Sequence, residues 1–403
     1  MYQNLAIIAV FAFLYSVVAG RIERSFITGP MIYVTFGLLV GAPGLGILNI
    51  HINAVGMRVI ADMTLALVLF IDAANADLRV LRAYSKLPER MLLIGLPLSI
   101  LLGVGVGVLV FPSMGFYEVC VLATMLAATD AALGKSVVSN PAVPAQLRQG
   151  INVESGLNDG MAVPVLLIFL ALASGTVSEQ VSAVTALKLV AEELLLGTVV
   201  GLSLVGMAVF LMKYAATRSW FNVIWAQIPV VTLSLSCFAV AQTLGGSGFI
   251  ACFAGGLLFG YLAEEKTHGL VLAAEGVGEL LCILTWVIFA AVFMGIYLTQ
   301  ITWDIVLYAV LSVTVIRIIP VLVSLWGCEE PFEHKLFLAW FGPRGLASIV
   351  FLVIVGEANL PSQNIIVPTV VLTITLCIVL HGLSANSWAD RLARRKQNYK
   401  TEY

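Results

Sequence analysis

The sequence predicts an all-α polytopic membrane protein of about thirteen transmembrane helices, arranged as two inverted six-helix repeats. Three observations carry that reading. Of 403 residues, 60% are hydrophobic and only 11% charged. A soluble domain carries about 25% charged residues, so the missing charge means that most of the surface meets lipid; the mean hydropathy is +1.02. Apolar runs of about 20 residues, the length that crosses a bilayer core, recur along the whole chain. Segment length and the lack of ten-residue alternation predict helices rather than a barrel.

Taken in order, the apolar segments cover roughly 3–20, 27–46, 57–75, 91–111, 116–134, 150–173, 185–212, 222–243, 246–262, 272–297, 303–326, 335–356 and 365–384. Connections are short, so a single membrane domain fills 1–403, ending in a short basic tail at 386–403. Basic residues set the orientation. Loops after the odd-numbered segments 1 to 11 carry Arg21, Arg24, Arg79, Arg82, Lys86, Arg90, Lys135, Arg148, Lys213, Arg218, Lys266 and Lys335. The tail adds Arg391, Arg394, Arg395, Lys396 and Lys400, while the other side has only Arg58 and Lys188. The expectation is an amino terminus outside, a carboxyl terminus in the cytosol, and a cell (inner) membrane location. One missed span would scramble this bias. Arg317 and Arg344 are left inside spans.

The first basic residue, Arg21, follows the first apolar segment, so a cleavable signal peptide is not expected. Five of the six cysteines fall within spans, without recurrent spacing, and neither a disulfide framework nor a zinc site is indicated. The net charge of −2 says nothing about partners, and no nucleic-acid partner is expected. The basic tail reads as a positive-inside anchor against lipid headgroups.

Segments 1–6 and 8–13 pair as two copies of one unit with segment 7 as connector. Counterparts are then seven apart, an odd number, which inverts one copy across the membrane. A matched pair of interrupted segments supports this, and such pairs point to a transporter site. One is Ala127-Ala128-Thr129-Asp130-Ala131-Ala132 in segment 5; the other is Trp340-Phe341-Gly342-Pro343-Arg344-Gly345 in segment 12. Pro343 removes a backbone donor and the flanking glycines loosen the turn. Asp130 and Arg344 stand where fixed charges compensate half-helix dipole ends. Glycines 103, 105 and 107 in segment 4, and 245, 246, 248, 255, 256 and 260 around segment 9, predict close helix packing. The first three are no nucleotide fingerprint, because no strand precedes them.

The chemistry concentrates in segment 6. On a helix Glu154, Ser155, Asn158 and Asp159 fall at about 0°, 100°, 40° and 140°, one shared face. Ser155 and Asp159 are four apart, as are Glu154 and Asn158, so each pair can meet. An acidic side chain at the centre of a membrane helix costs roughly 2.5–3.5 kcal/mol on insertion scales, which is tolerated where it faces a wet or ion-filled interior. The face offers hard oxygen ligands, suited to alkali and alkaline-earth cations, and no His or Cys for a transition metal. A buried network that only glues helices together needs fewer carboxylates. Asp72 adds a carboxylate near the cytosolic end of segment 3, where an exposed boundary position is the alternative. Asp62, Glu192, Glu193, Glu275 and Glu279 read as interface or helix-end carboxylates.

The stretch Ala128-Thr129-Asp130-Ala131-Ala132-Leu133-Gly134, with Asn140-Pro141 and Asn152-Val153-Glu154-Ser155-Gly156-Leu157-Asn158-Asp159-Gly160, resembles the signature of the monovalent cation:proton antiporter family. It is most similar to the electroneutral sodium/proton exchanger branch marked by an Asn-Asp pair. Further matches are Phe70-Ile71-Asp72-Ala73, Gly246-Ser247-Gly248-Phe249 and Phe341-Gly342-Pro343-Arg344-Gly345-Leu346-Ala347. The resemblance spans nearly the whole membrane domain. It implies a secondary transporter, not an enzyme, that needs no cofactor and carries Na+ (or Li+ or K+) against H+. Asp159 would be the exchange carboxylate, with Ser155, Asp72 and the backbone carbonyl of Thr129 completing the ion's shell. Asn158 and Asp130 would hold the unwound segment. Glu154 would pair with Arg344, and Arg317 would enter interhelix charge pairing. A homodimer follows, with a dimerisation unit at about 1–75 and 185–297 and a mobile ion-carrying core at about 89–173 and 303–385. Two departures stand out: Ala131 replaces a usual Pro, which softens the break in segment 5, and the tail omits the long cytosolic domain of some relatives.

Burial favours a neutral carboxylate, while a nearby cation favours the charged form. One buried carboxylate therefore holds either a proton or a metal cation, and Asp72 and Asp159 close together would titrate as a coupled pair. If the site crosses only when occupied, the two fluxes are coupled in opposite directions. Asn158, where electrogenic relatives have a second aspartate, implies one Na+ per H+. A cation channel or differently coupled cation transporter is the alternative, although filters usually use rings of groups in a symmetric pore. An intramembrane aspartyl protease lacks its Gly-x-Gly-Asp pattern here, and an organic-anion symporter would want a cationic site.

Overall fold

Every one of the thirteen apolar segments contains helix. The computed structural model describes residues 2–22, 25, 27–48, 54–75, 86–130, 143–174, 183–220, 225, 228–263 and 267–401. The helices are α1 (Tyr2–Ile22), α2 (Gly29–Val40), α3 (Ala54–Asn75), α4 (Lys86–Val110), α5 (Phe116–Met125), α6 (Ala145–Ala173) and α7 (Ala183–Thr217). They continue as α8 (Pro229–Thr243), α9 (Gly248–Ala263), α10 (Thr267–Ile288), α11 (Trp303–Ser324), α12 (Phe332–Trp340), α13 (Leu346–Glu357) and α14 (Gln363–Thr401). No strand occurs among the described residues. This is a polytopic α-helical membrane protein.

The fourteenth helix arises because segment 12 is two helices, with residues 341–345 unwound between α12 and α13. Segment 5 likewise stops being helical after Met125, and its chain passes through a turn and continues without regular structure to Asp130. The rest of that segment, with Ala131 and the Asn140-Pro141 pair, lies outside the described residues, as do the basic residues Arg24, Arg79, Arg82, Lys135 and Lys266. Among the described residues, seven helices are long and apolar enough to span by length and composition alone. Helix α3 has 22 residues and carries Arg58, Asp62 and Asp72. It lies inside the bundle, packed on α9, α10 and α13, where charges can be matched.

Glycines set the spacing of α9. A methyl on Gly256 or Gly260 would overlap the carbonyls of Phe70 and Ala74 on α3, and one on Gly255 would crowd Val205 of α7 at 2.9 Å. Gly103 and Gly107 of α4 face Ala123 and Val119 of α5 in the same way. Two of the expected packing glycines do something else. Gly105 faces open space, and Gly245, at φ +79°, supplies a left-handed turn that few other residues adopt.

Gly256→Ala is expected to destabilise by about 1–3 kcal/mol through overpacking. Gly105→Ala should be neutral or mildly stabilising. Thermal unfolding in detergent reads both, and equal shifts would overturn the packing role.

Candidate functional site

The two unwound stretches cross, and each supplies what the other lacks. A helix ending mid-membrane leaves carbonyls without partners, and one beginning there leaves N–H groups free. The Arg344 guanidinium, fully buried, donates from Nε to the Leu126 carbonyl at 2.6 Å, from Nη1 to Gly342 O at 2.6 Å and from Nη2 to Ser312 O at 3.2 Å. Ser348 Oγ donates to Met125 O at 2.8 Å. In the opposite sense the Asp130 carboxylate accepts the Leu346 N–H at the start of α13 at 2.7 Å. The Asp130 N–H donates to Pro343 O at 2.8 Å. Cation at a helix C-terminus and anion at an N-terminus are the signs that the dipoles require. A side chain on Gly345 would occupy the space of the Asp130 carboxylate, and one on Gly342 that of the Arg317 guanidinium. These glycines make room for charge, beyond loosening the turn.

Helix α6 runs beside the crossing and buries its polar face there. Arg317 of α11 grips Glu154 with two parallel bonds, Nη1 to Oε1 at 2.9 Å and Nη2 to Oε2 at 3.1 Å, both side chains being essentially inaccessible. The Asn158 amide donates to Glu154 Oε1 at 3.0 Å and to Thr129 Oγ1 at 3.1 Å. Ser155 Oγ donates to the Thr129 carbonyl at 2.8 Å. The partner of Glu154 is thus Arg317 and not the expected Arg344. Arg344 sits at the break itself, where three carbonyls take its donors, whereas α11 presents the planar fork of Arg317 squarely to the carboxylate.

Asp159 faces the other way. Its Oδ1 is buried and has no hydrogen-bond partner among the described residues, and it borders a cavity of about 880 Å³. Asp72, Asp130, Ser155, Glu275 and Glu279 share that cavity. Asp72 is half-buried, and its Cβ lies 3.2 Å from where a methyl on Gly156 would stand, which brings α3 against α6 one turn from Asp159. Glu275 and Glu279 lie within α10 and border the same cavity, and Asn75 donates to Glu275 at 2.9 Å. The donor set is carboxylate, hydroxyl and carbonyl oxygen, and oxygen keeps a second lone pair for a cation after accepting one hydrogen bond.

Sequence reasoning passed over two buried polar residues. Glu118 accepts from Ser362 N and Oγ, both at 2.8 Å, and from Gly115 N at 3.0 Å, tying the start of α5 to the loop before α14. Its signal was the position three residues after a helix-starting glycine. His381 bridges the Trp340 and Cys377 carbonyls at 2.9 and 3.1 Å, and nothing in its neighbourhood in the sequence marks it.

Residues 7–390 match the family described as "Sodium/hydrogen exchanger, transmembrane". The chain belongs to that family. Among curated proteins it is 24% identical over 396 residues to the K+/H+ antiporter NhaP of Alkalimonas amylolytica, covering 94% of this chain and 66% of that protein. It is 25% identical over 317 residues to a probable Na+/H+ antiporter of Schizosaccharomyces pombe, covering 73% of this chain and 40% of that one. The chain therefore spans less than two thirds of the length of these relatives. Among solved structures it is similar to the sodium proton antiporter MjNhaP1 of Methanocaldococcus jannaschii at pH 8, with a TM-score of 0.76 at 19% identity, covering 94% of this chain and 99% of that one. The family's fold is the fold described above.

Arg317→Ala leaves Glu154 buried without its counter-charge and should cost about 3–5 kcal/mol. Adding Glu154→Gln should recover much of that loss, and should recover none of the loss caused by Arg344→Ala, whose partners are carbonyls. Melting temperatures of the single and double variants decide it; equal rescue of both arginine variants would refute the pairing.

Proposed function

We propose that the protein is a secondary antiporter that exchanges Na+ (or Li+ or K+) for H+ by alternating access, with both cations competing for Asp159. The observation that carries this is the buried Asp159 oxygen, without a hydrogen-bond partner among the described residues, beside a cavity that Asp72, Asp130 and Ser155 also border. A buried carboxylate without a partner is costly. A proton or a bound metal cation removes that cost, and a site satisfied by either one is an exchanger's site. Ser155, Asp72 and the Thr129 carbonyl complete the cation's shell, Asn158 and Asp130 hold the unwound chain in register, and no cofactor takes part. Asn158 is engaged with Glu154 and Thr129 and carries no charge of its own, in keeping with one Na+ per H+ and no net charge moved.

The cavity is bordered by Asn75 at the end of α3 and by Thr28, Gly29 and Pro30 at the start of α2. Both positions adjoin the basic loops, so the cavity faces the cytosol if the positive-inside orientation holds. The amino terminus is then outside, the carboxyl terminus cytosolic, and the membrane that of the cell. An ion-carrying core of residues 89–173 and 303–385 moves against a dimerisation unit of residues 1–75 and 185–297, and two copies associate. Membership of the sodium/hydrogen exchanger family supports this reading.

In proteoliposomes, Asp159→Asn should abolish sodium-driven proton flux while keeping the wild-type melting temperature, and the wild-type rate should not track a clamped membrane potential. Residual flux in the variant, or a voltage-dependent rate, contradicts the respective claim. Because cation binding displaces a proton, apparent Na+ affinity should weaken as pH falls, by at most about tenfold per pH unit for one exchanged proton. Calorimetric titration across pH measures this, and an affinity indifferent to pH would remove the competition on which the mechanism rests.

A further inference from the structure

At the end of the bundle remote from the cavity, α3 and α13 are joined by charge. Arg58, early in α3, pairs through Nη1 with Glu357, the last residue of α13, and through Nε with Asp62 at 3.4 Å. Fourteen residues separate Arg58 from Asp72, about 21 Å along the helix axis. Glu357 is likewise eleven residues, about 16 Å, from Leu346, where α13 meets Asp130. Each of these two helices thus has one end at the cavity and the other at this ion pair. Between the ends the contact is dry. Leu65 of α3 and Val350 and Ile354 of α13 belong to one buried apolar cluster.

A carboxylate on the last residue of a helix opposes the helix dipole, and Glu357 gains nothing from its own helix. Its position makes sense through its partner on α3. By the positive-inside reading, Arg58 and Lys188 are the two basic residues of this side. The side chains are 41%, 27% and 12% exposed for Arg58, Glu357 and Asp62. A pair so open to solvent is weak enough to break and re-form within a transport cycle, unlike the buried grip of Arg317 on Glu154.

We propose that Arg58 and Glu357, with Asp62 orienting the arginine, form a latch that holds the remote end shut while the cavity is open at the other end. The latch must part for the site to face the opposite side. This rests on the alternating-access reading, in which α3 belongs to the dimerisation unit and α13 to the moving core. Asp62 keeps Arg58 over the gap while the latch is open, so that the guanidinium has a partner in both states.

Two measurements test it. In a variant with the native cysteines replaced, Leu65→Cys is exposed to a membrane-impermeant maleimide added on the side away from the basic loops. Arg58→Ala and Glu357→Ala should each speed labelling about fivefold, the change expected for losing a partly exposed pair. The swap R58E/E357R should return it to the parental rate. Separately, Arg58→Cys with Glu357→Cys is joined by a reducible bifunctional thiol reagent; exchange should fall to background and return on reduction. Labelling that ignores both alanine variants, or undiminished exchange while cross-linked, overturns the latch. Labelling requires no transport, so absence of exchange in the uncross-linked parent would count against the antiporter reading and leave the latch to be judged by the maleimide.

Discussion

The structure depends on one reciprocal exchange of charge. Two helices stop inside the membrane, and each end is an electrostatic fault that lipid cannot repair. Arg344 closes the fault at the end of α5 and Asp130 closes the one at the start of α13, each supplied by the other's unwound strand. Neither charge is tolerable at that depth alone, and neither helix end is tolerable without its charge. The crossing is therefore a unit. Remove the guanidinium and the carbonyls of Leu126, Gly342 and Ser312 lose a shared donor in a place where no water replaces it.

That unit fixes the backbone around Thr129, and through it the polar face of α6. The four polar side chains of the face divide their work by angle. Glu154 and Asn158, within about 40° of each other, turn to Arg317 and the unwound strand. Ser155 and Asp159, further round, border the cavity. A half tied down by hydrogen bonds stands beside a half left open for a ligand. Keeping a buried carboxylate oxygen free of partners needs such a frame, because a flexible surround would fold a donor onto it and end its availability.

Much of this was legible from the chain alone, since membrane insertion penalises polar residues so heavily that those that remain are informative. The order of the helices and the breaks in segments 5 and 12 follow from where polar residues interrupt apolar runs, whereas the grouping of Asp72, Thr129, Ser155 and Asp159 is implied by the resemblance to the antiporter family. The partner of Glu154 did not follow. Arg317 and Arg344 are both lone intramembrane arginines, and choosing between them requires knowing that Arg344 is consumed by backbone carbonyls, a consequence of the crossing angle that no periodicity encodes. Gly105 and Gly245 show the same limit. Composition marks glycine as permissive, but only neighbours decide whether it admits a helix, turns the chain or faces open space.

Helix α3 carries three charges where a lipid-facing span would carry none, and the three divide between its ends. Asp72 serves the cavity; Arg58 and Asp62 serve the remote end. Between them the helix is apolar and lies against glycines of α9 whose substitution would meet its own carbonyls. Such packing leaves no slack between α3 and α9, whereas contact between α3 and α13 consists of side chains and a solvent-accessible ion pair. A plane of easy separation is thereby set on one side of α3 and a rigid contact on the other. The proposed exposure of one carboxylate to each side in turn asks for this contrast in the stiffness of contacts, and α3 is the helix that carries it.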